Sequence, residues 1–299
     1  MTRSFPPDVV VLDSDSLVHA RFGRGKVNPR IVTAKSHRLA PETFTAAPVT
    51  PHLESETALG ETLRRLRAET GKWEKVSVLL PDAWFRTNIV DLPSLPDREA
   101  DAKEVVLWSL KKTLPIPPEQ LRMTYSVLSR AHQGAKVLVL SALEATLAAI
   151  ERVFAASGFE VVLIEPMGLN IWNAIAVRQS GDTTTGDRLL IHLRDTDFTT
   201  AVFRGAQPLF IRSRNLSAER TIDQEIRLSA SYLRDSLQVE TFANCWVAGE
   251  RGADIHAVLA EEFNTQVRSV ALKDYAEDVP SGTFGLDAEL TACTGVFTG

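Results

Sequence analysis

Two short polar knots carry residue types that suit metal-assisted phosphoryl chemistry. The first is Asp13-Ser14-Asp15-Ser16, the second Arg194-Asp195-Thr196-Asp197. Each follows an apolar run and sets two carboxylates one residue apart beside hydroxyls. Such carboxylates are hard oxygen ligands for Mg²⁺, and the guanidinium of Arg194 has the planar fork that grips a phosphate. The bland alternatives are equally concrete. An ordinary turn satisfies the same carboxylates, and Arg194 has Asp195 and Asp197 beside it as ion-pair partners. Phosphate cradles are normally rich in glycine, because bare N–H groups must approach the anion closely. Neither knot contains a glycine.

Other catalytic chemistry finds less support. No further acid stands where it would complete a two-metal site. The six histidines (His19, His37, His52, His132, His192, His256) are scattered and show no metal-ligand spacing. They read as packed or surface side chains. No nucleophile elbow and no Walker-type loop occurs. No catalytic residue and no metal site is therefore assigned.

The elements around the knots repeat. "DVVVLD", a polar turn and "LVHARF" read as strand, turn, strand, and "RLLIHL", the second knot and "FTTAVF" read the same way. Residues 9–22 lie without gaps on 190–203, with three of the fourteen positions identical. The shared layout points to a duplicated fold more strongly than the identities do. Residues 36–53, rich in Pro, Thr and Ala, read as an exposed loop. The helix after it has Ser55 as N-cap and Gly71 as its stop. "KVSVLLPD" is a buried strand. A compact α/β insertion follows, and its helix "DREADAKEVVLWSLKKTL" has Val105, Leu107, Trp108 and Leu110 as an apolar side. Further strands and helices alternate to the end, which makes an α/β protein of two related lobes.

The chain has 299 residues, 44% hydrophobic and 24% charged, as a globular protein with a sizeable core does. A net charge of −5 argues against nucleic acid as a partner. Cys245 and Cys293 sit in apolar contexts without metal or redox spacing and read as buried free thiols. "MTRSFPPDVVVLD" is not a signal peptide, and no apolar run approaches the ~18–20 residues that would span a bilayer. These features predict a soluble, cytoplasmic protein without direct membrane insertion.

"VLLPDAWFRTNIVDLP", then Glu104 and "VVLWSLKKTLPIPPEQL", then "MTYSVL" resemble the PilM family of type IV pilus assembly proteins. The cytoplasmic domain of GspL/EpsL, from type II secretion, is a further relative. The resemblance covers most of the chain in order, and the Leu-Pro, Trp and Pro-x-Pro series over 79–128 is its most specific part. It implies an α/β, actin-like fold: two ribonuclease-H-like lobes around a nucleotide cleft, with a small α/β insertion subdomain in the first lobe. The expected division is first lobe 1–83, insertion 84–158, return to the first lobe 159–180, second lobe 181–280, and a C-terminal helix returning to the first lobe over 281–299.

The resemblance further implies ATP with Mg²⁺ in the cleft and, near the insertion, a groove for the N-terminal tail of a PilN-like inner-membrane protein. The cleft motifs depart from the family. The Asp-x-Gly of the first phosphate motif becomes Asp13 and Asp15, followed by Ser16. That of the second falls on His192 and Arg194, followed by Asp195. Thr199 and Thr200 match the family's threonine pair, and the adenosine-holding double glycine keeps Gly249 but is interrupted by Glu250 and Arg251. The expected outcome is a degenerate nucleotide cleft at Asp13, Asp15, Ser16, Arg194, Asp195, Thr199 and Gly249, with no cofactor and no hydrolysis. Phe85, Trp108 and Ile116 are the candidate groove residues, with core packing as their alternative role.

The function so implied is a structural component of a pilus or type II secretion inner-membrane platform. It would be peripheral to the inner membrane through its partner and would contact other platform components. The alternatives are an ATPase whose nucleotide gates partner binding, or a sugar- or acetate-kinase-like transferase. The sequence leaves a homodimer open.

Overall fold

Val9, Val10 and Val11 are all buried, which marks a strand covered on both faces at the centre of its sheet. The computed structural model describes residues 5–45, 52–71, 73–111, 114, 116–131, 134–179, 186–205, 207–216, 221–249, 251–283 and 285–297. Glu250 and His132, named above, lie outside the described residues. The first half runs β1 (Asp8–Leu12), β2 (Ser16–Gly23), β3 (Arg30–Arg38), the short pair β4 (Phe44–Thr45) and β5 (His52–Leu53), α1 (Glu56–Thr70) and β6 (Lys75–Leu80). The insertion holds β7 (Arg86–Leu92), α2 (Glu99–Leu110), β8 (Leu121–Arg130) and β9 (Ala135–Leu143). Then come α3 (Glu144–Ala156), β10 (Glu160–Pro166) and α4 (Met167–Arg178). The second half runs β11 (Asp187–Leu193), β12 (Asp197–Arg204), β13 (Gln207–Asn215), α5 (Ile222–Leu237), β14 (Asn244–Ala248), α6 (His256–Phe263), β15 (Val267–Ser269) and α7 (Asp287–Gly295).

The two large sheets have one topology. The first is ordered β10-β6-β1-β2-β3 and the second β13-β12-β11-β14-β15. In each, three antiparallel strands are extended by two parallel ones reached through helical crossovers. The alignment of 9–22 on 190–203 holds in register. Leu12 pairs with Leu17 and Leu193 with Phe198. The intervening turns close by equivalent bonds, Asp13 N–H to the Ser16 carbonyl at 2.8 Å and Arg194 N–H to the Asp197 carbonyl at 2.9 Å.

Helices α4 and α7 lie in the core between the sheets. Met167, Ile171 and Ile175 of α4 and Leu290 and Cys293 of α7 pack with Val9 and Val11 of the first sheet and Leu190, Phe203 and Trp246 of the second. Trp172 stacks on Phe203 at 3.6 Å between ring centroids. Gly295 lets α7 approach α4 closely, because a Cβ there would overlap the Asn170 carbonyl oxygen. The capping signals of α1 behave as read, whereas 36–53, expected as an exposed loop, carries β4 and β5 and buries Leu39, Thr43 and Phe44. The Ser55 hydroxyl accepts the Ala58 N–H at the start of α1, and Gly71 ends it at φ +82°. Both cysteines are free and buried.

Two further expectations need correction. The insertion's sheet, ordered β7-β9-β8, ends at Leu143. α3 packs Leu147, Ile150, Val153 and Phe154 into the first-lobe core beside α1. The insertion therefore spans about 86–143, not 84–158. Helix α2 buries Ala102, Val106 and Leu110, one stripe at four-residue spacing. Trp108 points away from that stripe and is 76% exposed.

Candidate functional site

β1 and β11 end side by side at the seam between the lobes, and each delivers its polar turn there. Arg194 forms a salt bridge with Asp13 of the other lobe's turn and a second with Asp197 at 3.2 Å. Asp197 is buried, and Arg194 and Asp13 are partly so. The partner expected from the sequence, Asp195 or Asp197, is thus Asp197, joined by an acid from 181 positions upstream that the local pattern did not indicate. Asp15 and Asp195 face solvent. Ser16 begins β2 and is half-buried, its backbone carbonyl closing the turn to Asp13. Thr199 is buried, and its hydroxyl donates to Ser213 at 2.9 Å.

A second cross-lobe pair lies beneath the first. His192 of β11 is fully buried, and its Nδ1 lies 2.8 Å from Asp82, just after β6. The other Asp82 oxygen accepts the Gly168 N–H at the start of α4, 2.6 Å away. A side chain at Gly168 would collide with that carboxylate. Burial alone would lower the His192 pKa. The Asp82 carboxylate, supported by Asp197 and Glu289, overrides this and raises it above the ordinary histidine value. In the sequence His192 reads as an ordinary packed or surface histidine, and Asp82 carries no assigned role. The available signal was the acid closing "LLPD" together with a histidine replacing the family's acid.

Gly249 follows β14 at φ +108°, and a Cβ there would overlap the Leu193 carbonyl oxygen. Its glycine is required by the packing of β14 on β11, whatever the cleft binds. Where Asp82, Gly168 and Thr199 meet, the remaining cavity is about 10 Å³, the space of a single water. Among the described residues no group of His, Cys, Asp or Glu is arranged to hold a metal ion.

A larger space opens between the insertion and the first lobe, a groove of about 360 Å³. Met123 of β8, Ser141 of β9 and Phe85 form part of one wall, and the consecutive residues 161–165 of β10 form the other. β8 and β10 are both edge strands with one unpaired side. At one end Arg122 splits its guanidinium between Glu144, at 2.7 and 2.8 Å, and Glu151, at 2.9 Å. Hydrogen bonds to these carboxylates raise the Arg122 pKa, and the same contact lowers that of Glu144. Of the three groove residues expected from sequence, Phe85 lines it. It is also part of the first-lobe core. Trp108 and half-buried Ile116 do not line it.

By sequence, the chain matches no protein-family model and no curated protein. By structure it is similar to the PilM–PilN type IV pilus biogenesis complex, with 14% identity, 96% of each chain covered and a TM-score of 0.80. It is also similar to a Bacteroides thetaiotaomicron protein with an actin-like ATPase fold, at 10% identity over 96% of this chain and 95% of that one, TM-score 0.56. A third likeness is to the cytoplasmic domain of EpsL, an inner-membrane component of the Vibrio cholerae type II secretion system. There the identity is 11% over 98% of this chain and 94% of that one, TM-score 0.53. The fold is therefore actin-like, and the PilM and EpsL resemblance read from the residues extends through the three-dimensional structure. Among the described residues no helix is long and apolar enough to cross a membrane.

Proposed function

We propose that this chain is a non-catalytic, cytoplasmic component of the inner-membrane platform of a type IV pilus or type II secretion system. It docks the N-terminal tail of a PilN-like membrane protein in the groove beside the insertion, and its cleft works without nucleotide.

The observation that carries this reading is the position of Arg194. In an actin-like cleft the two polar turns face the phosphates. Here the guanidinium of one turn is held by Asp13 of the other and by Asp197. A triphosphate entering this space would meet carboxylates where it needs bare N–H groups, and would have to break these ion pairs. The residues present do not fit ATP with Mg²⁺. The partner half of the proposal draws on the PilM–PilN complex as a structural neighbour, and on the unpaired edge of β10 along the groove. An extended tail adds naturally to such an edge.

The test is calorimetric titration of the protein with a synthetic peptide of the organism's PilN-like tail, in the presence and absence of ATP and Mg²⁺. Binding unchanged by nucleotide is the expected result. Micromolar binding of ATP itself, or tail binding that appears only with ATP, would replace this reading with the nucleotide-gated ATPase.

A further inference from the structure

We infer that the chain carries a peripheral lipid site: the loop between β2 and β3, with the apolar groove beside it, takes an anionic membrane lipid. The contact calls for no spanning segment. It goes beyond the docking reading above, and only the last observation offered for it rests on that reading.

The loop displays an aliphatic side chain that the core does not use. Val27 is 81% exposed, more than any other large apolar side chain among the described residues. Its backbone is nevertheless pinned. The Glu277 carboxylate accepts the N–H groups of Lys26, Val27 and Asn28 at 2.9, 2.7 and 3.1 Å, and the Glu277 main chain bonds to Pro29 and Ile31. Val177, at the end of α4, is 49% exposed and borders the same depression as Val27. Apolar side chains held together at a surface mark a contact site.

Beside the loop lies an open groove of about 570 Å³. Phe5, Pro7, Phe22, Val27, Pro29 and Phe297 line it, with Phe22 and Phe297 at 5.2 Å between ring centroids. Among the described residues Arg24 is the one charged side chain on this lining. An apolar floor with a single cation at its edge suits an acyl chain that ends in an anion.

Charge points the same way. The loop 24–30, the stretch 273–278 that bonds to it, and Arg178 beside Val27 together hold five cations and three carboxylates. Of those acids, Glu277 is covered by the loop's own N–H groups, and Asp278 lies 3.8 Å from Arg30. Arg24 and Lys26 are exposed. A chain of net charge −5 is thus locally positive here, which attracts an anionic leaflet. An acidic peptide would suit the cations alone. A protruding valine has its use at a lipid interface, where it enters the acyl boundary.

The position agrees with the docking reading. A shallow depression that includes Phe5 and Pro7 from this groove and Val162 from the β10 wall joins the two surfaces. A membrane protein's tail and the lipid around it would therefore meet neighbouring parts of the chain.

The test is flotation of the full chain with vesicles of phosphatidylcholine, alone or with about one-third phosphatidylglycerol. The anionic vesicles should bind about tenfold or more tightly than the neutral ones, and salt should weaken them. Arg24→Gln and Lys26→Gln should each lower that binding about fivefold. Val27→Asn should lower it as well, and none of the three should shift the unfolding midpoint, since all three residues are exposed. Equal partition onto both vesicles, or binding indifferent to all three substitutions, would overturn the inference. So would capture of an acidic peptide at this loop without any association with vesicles. Titrating the tail peptide into the same preparation separates the two readings: tail binding without vesicle binding removes the lipid site alone.

Discussion

Arg194 and Asp13 occupy equivalent positions in the two halves of a duplicated fold, and they are salt-bridged to each other across the seam. Each sits at the first residue of its turn, where the main-chain N–H closes onto a carbonyl three residues on. One half supplies a cation and the other an anion at the same place in the architecture. Single substitutions Asp13→Ala and Arg194→Ala should each destabilise the protein. The double variant should fall short of their sum, with a coupling of about 1–3 kcal/mol, measured by urea unfolding. Additive losses would mean that the pair contributes nothing as a pair.

The His192–Asp82 pair makes stability depend on pH with a definite sign. The folded state raises the His192 pKa, so it holds the proton more tightly than the unfolded chain does. The contribution is fully present below the unfolded histidine value of about 6.5 and is lost as pH rises through the folded value. Wild type should therefore lose melting temperature as pH rises above about 6.5. His192→Gln should flatten that part of the profile. A slope unchanged by this variant would assign the pH dependence elsewhere.

Gly249→Ala should cost about 2–4 kcal/mol, because φ +108° and the Leu193 carbonyl both exclude a side chain. Chemical denaturation measures it. A neutral result would mean that the β14 turn can reshape, and that the glycine was kept for the cleft instead.

On α2 two neighbouring residues should behave oppositely. Trp108→Ser should change stability by less than about 0.5 kcal/mol, since the ring is 76% exposed. Leu110→Ala should cost about 2–4 kcal/mol, since it fills the insertion core. A large loss at Trp108 would restore the core role that its apolar neighbours suggested on paper.

The fold was legible where its causes are local or periodic. The caps of α1, the strand–turn–strand pairs and their duplication can be read from hydrophobic pattern and turn chemistry over a few residues. Helix α2 shows where that stops. Val105, Leu107, Trp108 and Leu110 offer an apolar side, yet Ala102, Val106 and Leu110 are what the insertion's sheet covers. With apolar residues on several sides, the helix's own sequence does not choose which faces inward. The neighbour does.

The cleft divides in the same way. The residues alone established that the two phosphate turns lack glycine and carry carboxylates, because that is a property of each turn's composition. Which charges meet was decided by tertiary structure. Asp82 and His192 are 110 positions apart and lie 2.8 Å from each other only because α4 and α7 dock the two sheets at one fixed spacing. On paper Arg194 had Asp195 and Asp197 as its favoured ion-pair partners, with a phosphate as the alternative. The docked lobes put Asp13 in front of it, and burial makes the meeting of opposite charges the way to hold both there.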